Sequence, residues 1–356
     1  QADAEGQRSQ RRRCASGQDE LMTQPLLTVE NLNVGFATKS GIVQAATDIN
    51  FEIFPGEVLA VVGESGSGKS VTALALMRLH PENTIITGNV NFDGHDLLNM
   101  SDRDMRAIRG SDVAMIFQDP MTAMNPVFSV GNQIVETIRV HDSSVSKQEA
   151  WTKAVDLLKL VGVPEPKQRA SQYPHEYSGG MRQRAMIAMA IANDPKLLIA
   201  DEPTTALDVT VQAQVMEVLH EVQAETGSAM MLITHDLGLV AGSADRVQVM
   251  YASRLMETGS IDQIFYESQN PYTRALLESI PDIDGLKEEL SPIPGNPPSL
   301  LNPLVGCAFR PRCKFAQDVC ATEVPPRISV GVNHTSRCAL ALELPAPAGA
   351  SAGDAS

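Results

Sequence analysis

The chain has 356 residues, 43% of them hydrophobic, with 43 acidic side chains against 28 basic ones and a formal charge of −15. Such apolar content excludes a disordered, charge-dominated chain, and the acidic excess argues against a nucleic-acid surface, which needs clustered Lys and Arg to displace counterions. At about 150 residues per domain the length suggests about two domains.

Residues 1–21 carry the basic run Arg11-Arg12-Arg13 with no apolar stretch behind it, so they read as a disordered extension and not as a secretory signal. Met22 directly precedes the first strand-like segment and is a candidate native start. From Leu26 short β-rich segments alternate with helical ones, the pattern of an α/β domain placed at 22–280. Strands are expected at Leu27 to Val34, Asp48 to Ile53, Val58 to Val62, Val113 to Phe117, Leu197 to Ala200, Ala229 to Ile233 and Val247 to Met250. Several are near-continuous apolar runs suited to buried parallel strands. Helices are expected at Ser70 to Leu79 and Ser146 to Val161, the second inside an inserted helical subdomain at about 119–190. The longest apolar run, Ala185 to Ala192, is far below the roughly 18 residues of a membrane span, so the chain is not expected to cross a bilayer.

Gly63, Glu64, Ser65, Gly66, Ser67, Gly68, Lys69 and Ser70 form a complete Walker A octet between an apolar strand and a helix. Glycines let the backbone curl so that its N–H groups face phosphate at a helix N-terminus. Lys69 would hold the β- and γ-phosphates and Ser70 would ligate Mg²⁺. The run Leu197 to Ala200 ends in Asp201 and Glu202, the Walker B arrangement. Asp201 would hold Mg²⁺ and Glu202 would act as general base on the attacking water. An acidic strand end alone is ambiguous; beside a Walker A octet it points to ATP chemistry.

Tyr177-Ser178-Gly179-Gly180-Met181 resembles the signature of the ABC ATPase superfamily, with Tyr177 and Met181 departing from its common Leu-Ser-Gly-Gly-Gln form. The resemblance implies a P-loop NTPase core of the ABC ATPase type with antiparallel β and helical subdomains. It also implies that Ser178, Gly179 and Gly180 grip the γ-phosphate of ATP held by a second ATPase subunit, a paralogue more often than a copy. In family order, Gln118 resembles the Q-loop glutamine sensing Mg²⁺ and water. His235 resembles the switch histidine, Ala206-Leu207-Asp208 the D-loop that crosses between subunits, and Phe36 the aromatic that stacks on adenine. A lone Gln or His is more often structural, but Gln118 and His235 fall at strand ends in the family's order; an aromatic near a strand end, as Phe36 is, is commonly just core.

Asn270 to Leu277, then a proline-rich linker at 281–303 with six prolines, then Cys307-Ala308-Phe309-Arg310-Pro311-Arg312-Cys313 resemble the C-terminal extension of ATPase subunits from dipeptide, oligopeptide and nickel importers. Gln118 to Pro126 fits the same group. The implied substrate is a peptide or another small solute, delivered by a solute-binding protein through two integral membrane permease subunits. The chain itself would sit on the cytoplasmic face, its groove near Asn125 to Val130 receiving a coupling helix. A soluble ABC ATPase uncoupled from transport is the competing class; translation-type members usually hold two cores and repair types interrupt theirs, whereas this core is single and uninterrupted. Cys307, Cys313, Cys320 and Cys338, with five, six and seventeen residues between them, define a cysteine-containing module at 304–344. Four thiolates suit a four-iron four-sulfur cluster or zinc, and the lack of Cys-x-x-Cys knuckles favours the cluster; a metal-free module and a redox-responsive regulator stay open. Cys14 reads as a bystander, and 345–356 as a disordered tail.

Overall fold

A computed structural model describes residues 24–205, 207–279, 292–301 and 304–345. Residues 1–21, Cys14, Met22, Ala206, most of the proline-rich stretch and the tail beyond Pro345 lie outside the described residues.

Two sheets organise the molecule. Strands β1 (Leu27–Thr38) and β2 (Gly41–Ile53) form an antiparallel hairpin. After β3 (Val58–Val62) come β4 (Thr84–Phe92) and the short β5 (His95–Asp96), which complete a four-stranded antiparallel sheet of order β2-β1-β4-β5. The expected strand at Asp48 is only the second half of β2. Its first half holds Ile42, Val43, Ala45 and Ala46 without the strict alternation by which a half-buried strand is recognised, and much of β4 is exposed.

The second sheet has eight strands. It takes in β6 (Val113–Ile116), β7 (Leu197–Asp201), β8 (Ala229–Thr234), β9 (Arg246–Tyr251), β10 (Arg254–Ser260), β11 (Ile328–Gly331) and β12 (His334–Ser336), in the order β11-β12-β10-β9-β3-β8-β7-β6. The strands from β9 to β6 run parallel, with Val58 opposite Met230 and Leu197 opposite both Ala229 and Val113. Every residue of β3, β7 and β8 is buried, the reason these strands are uninterrupted apolar runs.

One face carries the helical lobe, made by helices Pro120–Ala123, Val130–His141, Lys147–Leu160, Pro166–Arg169 and Gly179–Ala190. Ser146 and Glu149 form a reciprocal capping box that starts the helix Lys147–Leu160. Ile134, Leu158 and Ile187 pack with Leu198 and Ala200 of the sheet, each buried Ile or Leu side chain worth about 1.5–3 kcal/mol. The opposite face packs against the antiparallel sheet through Leu27, Leu32, Leu59, Leu76 and Met231.

The cysteine-bearing segment adds its strands to the same sheet, β12 pairing antiparallel with β10 through Glu257 opposite Ser336 and Thr258 opposite Thr335. Phe309 meets Tyr251 and Tyr272 edge-on, with ring centroids 5.5 and 5.3 Å apart. No helix among the described residues is long and apolar enough to cross a membrane.

Candidate functional site

The phosphate loop follows β3 and runs into the helix Lys69–Leu76. Its conformation is closed to side chains at two points. A Cβ on Gly63 (φ 152°) would lie 2.1 Å from the Met250 carbonyl oxygen, and one on Gly68 (φ 107°) would lie 2.3 Å from that of Ala45. Ser65 and Gly66 are exposed, while Ser67 is buried with its hydroxyl lacking any hydrogen-bond partner. A buried orphan hydroxyl inside a loop of backbone donors fits a phosphate oxygen. Lys69 is buried and donates from Nζ to the carbonyls of Gly63 (2.7 Å) and Glu64 (3.1 Å), which leaves one of its three donors free for an anion. Burial lowers the Lys69 pKa, opposed by the charges of Glu202, Asp201 and Glu64.

The two carboxylates at the end of β7 face this loop. Ser70 donates from Oγ to Asp201 Oδ1 at 2.8 Å, which unites the two candidate Mg²⁺ ligands. Burial raises the Asp201 pKa, and the Ser70 hydrogen bond counteracts it. A divalent cation beside this pair would favour the charged carboxylate.

Glu202 takes up a left-handed backbone conformation (φ 46°), costly for a residue with a side chain and held here by its N–H donating to Ile233 O. Its Oε2 is the meeting point of three groups. Gln118 donates from Nε2 at 3.2 Å, His235 Nδ1 lies at 3.3 Å, and Thr205 donates from Oγ1 at 2.8 Å. Gln118 and His235 follow β6 and β8, the strands flanking β7, so adjacent parallel strands deliver all three residues to one point. Thr205 was not among the sequence candidates; its position three residues after Glu202 in a turn is the only signal that points to it.

The structure thus brings Lys69, Ser70, Gln118, Asp201, Glu202 and His235 together. The signature lies elsewhere. Ser178 caps the helix Gly179–Ala190, accepting from Met181 N at 3.3 Å, and Asp208 caps the helix Val209–Thr226, accepting from Val211 N at 3.0 Å. Ser178, Gly179, Gly180 and Asp208 line one surface pocket that contains no residue of the phosphate loop. Tyr177 is buried without a partner for its hydroxyl, and burial pushes its pKa up to about 12, so it packs as a large apolar residue does. Phe36 sits half-buried on β1, its ring edge-on to His80 at 5.4 Å.

Cys307, Cys313, Cys320 and Cys338 are free thiols lining one small pocket. Burial raises the pKa of Cys307 and Cys313 and pushes that of Cys338 up to about 11. No group of three or more His, Cys, Asp or Glu among the described residues is placed to hold a metal ion, so neither the expected iron–sulfur cluster nor the zinc alternative is supported.

A phosphate loop, a Walker B pair and a serine-glycine-glycine helix cap on a mixed sheet with a helical lobe define an ABC-type ATPase. The ABC transporter family model matches residues 46–205, and that of the oligopeptide/dipeptide transporter C-terminal region matches 256–320. The chain is 51% identical to the oligopeptide transport ATP-binding protein OppD of Haemophilus influenzae over 310 residues, 87% of this chain and 95% of that protein. It is 49% identical to the dipeptide transport ATP-binding protein DppD of Bacillus subtilis over 315 residues, 88% of this chain and 94% of that one. Among solved structures, the dimeric post-hydrolysis state of the cassette MJ0796 bound to ADP and Pi superposes with a TM-score of 0.60 at 25% identity, covering 66% of this chain and 98% of that one. The chain belongs to the ABC transporter ATP-binding proteins, in the branch that carries the oligopeptide/dipeptide transporter C-terminal region.

Proposed function

We propose that this chain hydrolyses ATP to power import of di- or oligopeptides through a binding-protein-dependent transporter. The observation that carries the peptide reading is the C-terminal region matched at 256–320, together with about half identity to peptide transport ATP-binding proteins over nearly the whole chain.

In this reading ATP lies on the phosphate loop, its phosphates facing the N–H groups of Gly63 to Ser70, the Ser67 hydroxyl and Lys69, with Phe36 against adenine. Mg²⁺ held by Ser70, Asp201 and Gln118 supplies charge neutralisation on the phosphates. Glu202 orients and deprotonates the attacking water, and Thr205, Gln118 and His235 fix its carboxylate. Ser178, Gly179 and Gly180 contact the γ-phosphate of nucleotide on a second ATPase subunit, with Asp208 at the same face. The separation of this pocket from the phosphate loop within one chain supports a site shared between two chains, as does the dimeric form of the related cassette. The partner is read as a paralogue.

Met121, Val127 and Phe128 are exposed on the helical lobe and support the groove near Asn125 to Val130 as the seat of a coupling helix from the membrane subunits. In this reading the chain sits at the cytoplasmic membrane face and acts on a solute-binding protein only through the permease.

In proteoliposomes holding both membrane subunits, the partner ATPase and the binding protein, a peptide should stimulate ATP hydrolysis. Stimulation by nickel or another small solute and by no peptide would replace the substrate assignment.

For the cysteine module the finer reading is a four-iron four-sulfur cluster; it rests on the four cysteines lining one pocket, whose thiols are not grouped as metal ligands among the described residues. Anaerobically purified protein should absorb near ~400 nm and contain stoichiometric iron; colourless, iron-free protein ends that reading.

A further inference from the structure

The phosphate loop is tied to the C-terminal segment by an ion pair that lies outside the cluster of catalytic side chains around Glu202. Arg312, in the short 3-10 turn Arg310–Arg312, reaches Glu64, the second residue of the loop. The contact is a two-pronged fork, Nη1 donating to Oε2 at 2.7 Å and Nη2 to Oε1 at 2.8 Å. The guanidinium has five N–H donors and all five are used. Nε donates to Pro294 O (2.9 Å), Nη1 also to the Tyr251 hydroxyl (3.2 Å) and Nη2 also to Ile293 O (3.3 Å). The group lies over the rings of Tyr251 and Phe309, 5.7 and 5.9 Å from their centroids, and the Arg312 side chain is only 4% exposed.

Glu64 is held from a second side, its backbone N–H donating to the Tyr272 hydroxyl at 3.0 Å. Tyr272 packs tilted against Tyr251, centroids 4.5 Å apart, in the aromatic cluster that receives Phe309. Side chain and backbone of one loop residue are thus both anchored by groups more than 200 residues downstream in the chain.

We infer that the C-terminal segment sets the nucleotide affinity of the phosphate loop through Arg312, a positioning residue that neutralises and orients Glu64. The inference rests on the loop being the ATP site. Without its partner the Glu64 carboxylate would stand as an uncompensated negative charge, close enough to act on Lys69, in a loop that must receive a polyanionic triphosphate. It would repel the ligand and compete for the Lys69 ammonium. Bidentate, with Arg312 buried and Glu64 partly so, the pair is screened less by solvent than a surface ion pair is.

The test is R312Q in the full-length chain, read by equilibrium binding of non-hydrolysable ATP with Mg²⁺ and by KM and kcat separately. ATP affinity should fall about tenfold, the loss appearing in KM and not in kcat. The double variant R312Q/E64Q, which removes both charges, should recover most of that affinity. A lowered melting temperature with parental ATP affinity would make Arg312 a structural anchor alone and overturn the inference, as would a double variant no better than R312Q. Should R312Q not fold, R312K carries the test: it keeps the charge, loses the fork and should weaken ATP binding about threefold, unchanged affinity again counting against the inference. Loss of all ATP binding in the parent chain would instead defeat the underlying ATPase reading.

Discussion

Replacing Glu202 by Gln changes two atoms' chemistry and almost nothing else. Side-chain volume is conserved, and the backbone strain at φ 46° is the same for either residue. The amide oxygen can still accept from Thr205 and Gln118, so the groups now 2.8 and 3.2 Å from Oε2 keep a partner. What disappears is the capacity to take a proton from water. A positioned general base contributes about 10²–10⁴ in rate, or about 3–5 kcal/mol at 1.36 kcal/mol per factor of ten. Phosphate release by the E202Q complex should therefore fall by at least about a hundredfold while ATP binding persists, and ATP should trap the closed pair of subunits, visible as a stable dimer in gel filtration. Normal turnover in this variant would refute Glu202 as the base.

Thr205→Ala removes the shortest bond to the Glu202 carboxylate, a charged hydrogen bond worth about 1.5–3 kcal/mol. Turnover should drop about tenfold with ATP affinity kept; equal rates would show that Gln118 and His235 suffice to hold the base. A second effect is read from pH. Burial alone would raise the Asp48 pKa, but hydrogen bonds from Arg337 (2.6 Å) and Asn50 (2.8 Å) more than offset it and leave it below the ordinary value. Stability from this carboxylate is present above the unfolded value of about 4 and is lost as pH falls through the lower folded value. Thermal melts of the parent chain should lose that increment on acidification below about pH 4, and those of D48N should lose less; parallel acid profiles would remove Asp48 from the account.

Legibility in the sequence differed sharply between elements. The strand Val58–Val62 was readable residue for residue because both faces are buried and each position must be apolar. Strand β4, with most of its residues exposed or half-exposed, offered no such pattern and was missed. The catalytic carboxylates were readable because their spacing along one strand is local. Thr205 and Tyr272 were not, since a threonine in a turn and a tyrosine in a helix look alike whether or not they touch the site.

Composition and short motifs alone determined that this is an acidic α/β ATPase with a complete phosphate loop and Walker B pair, because strand–loop–helix geometry is written in adjacent residues. That Gln118, Glu202 and His235 meet at one oxygen was decided by the parallel order β6-β7-β8, which sets side by side strand ends far apart in sequence. The tertiary structure alone revealed that the cysteine-bearing segment is bound into the core. Arg312 meets Glu64 across 248 residues, a pairing that no local pattern encodes, beside the packing of Phe309 against Tyr251 and Tyr272.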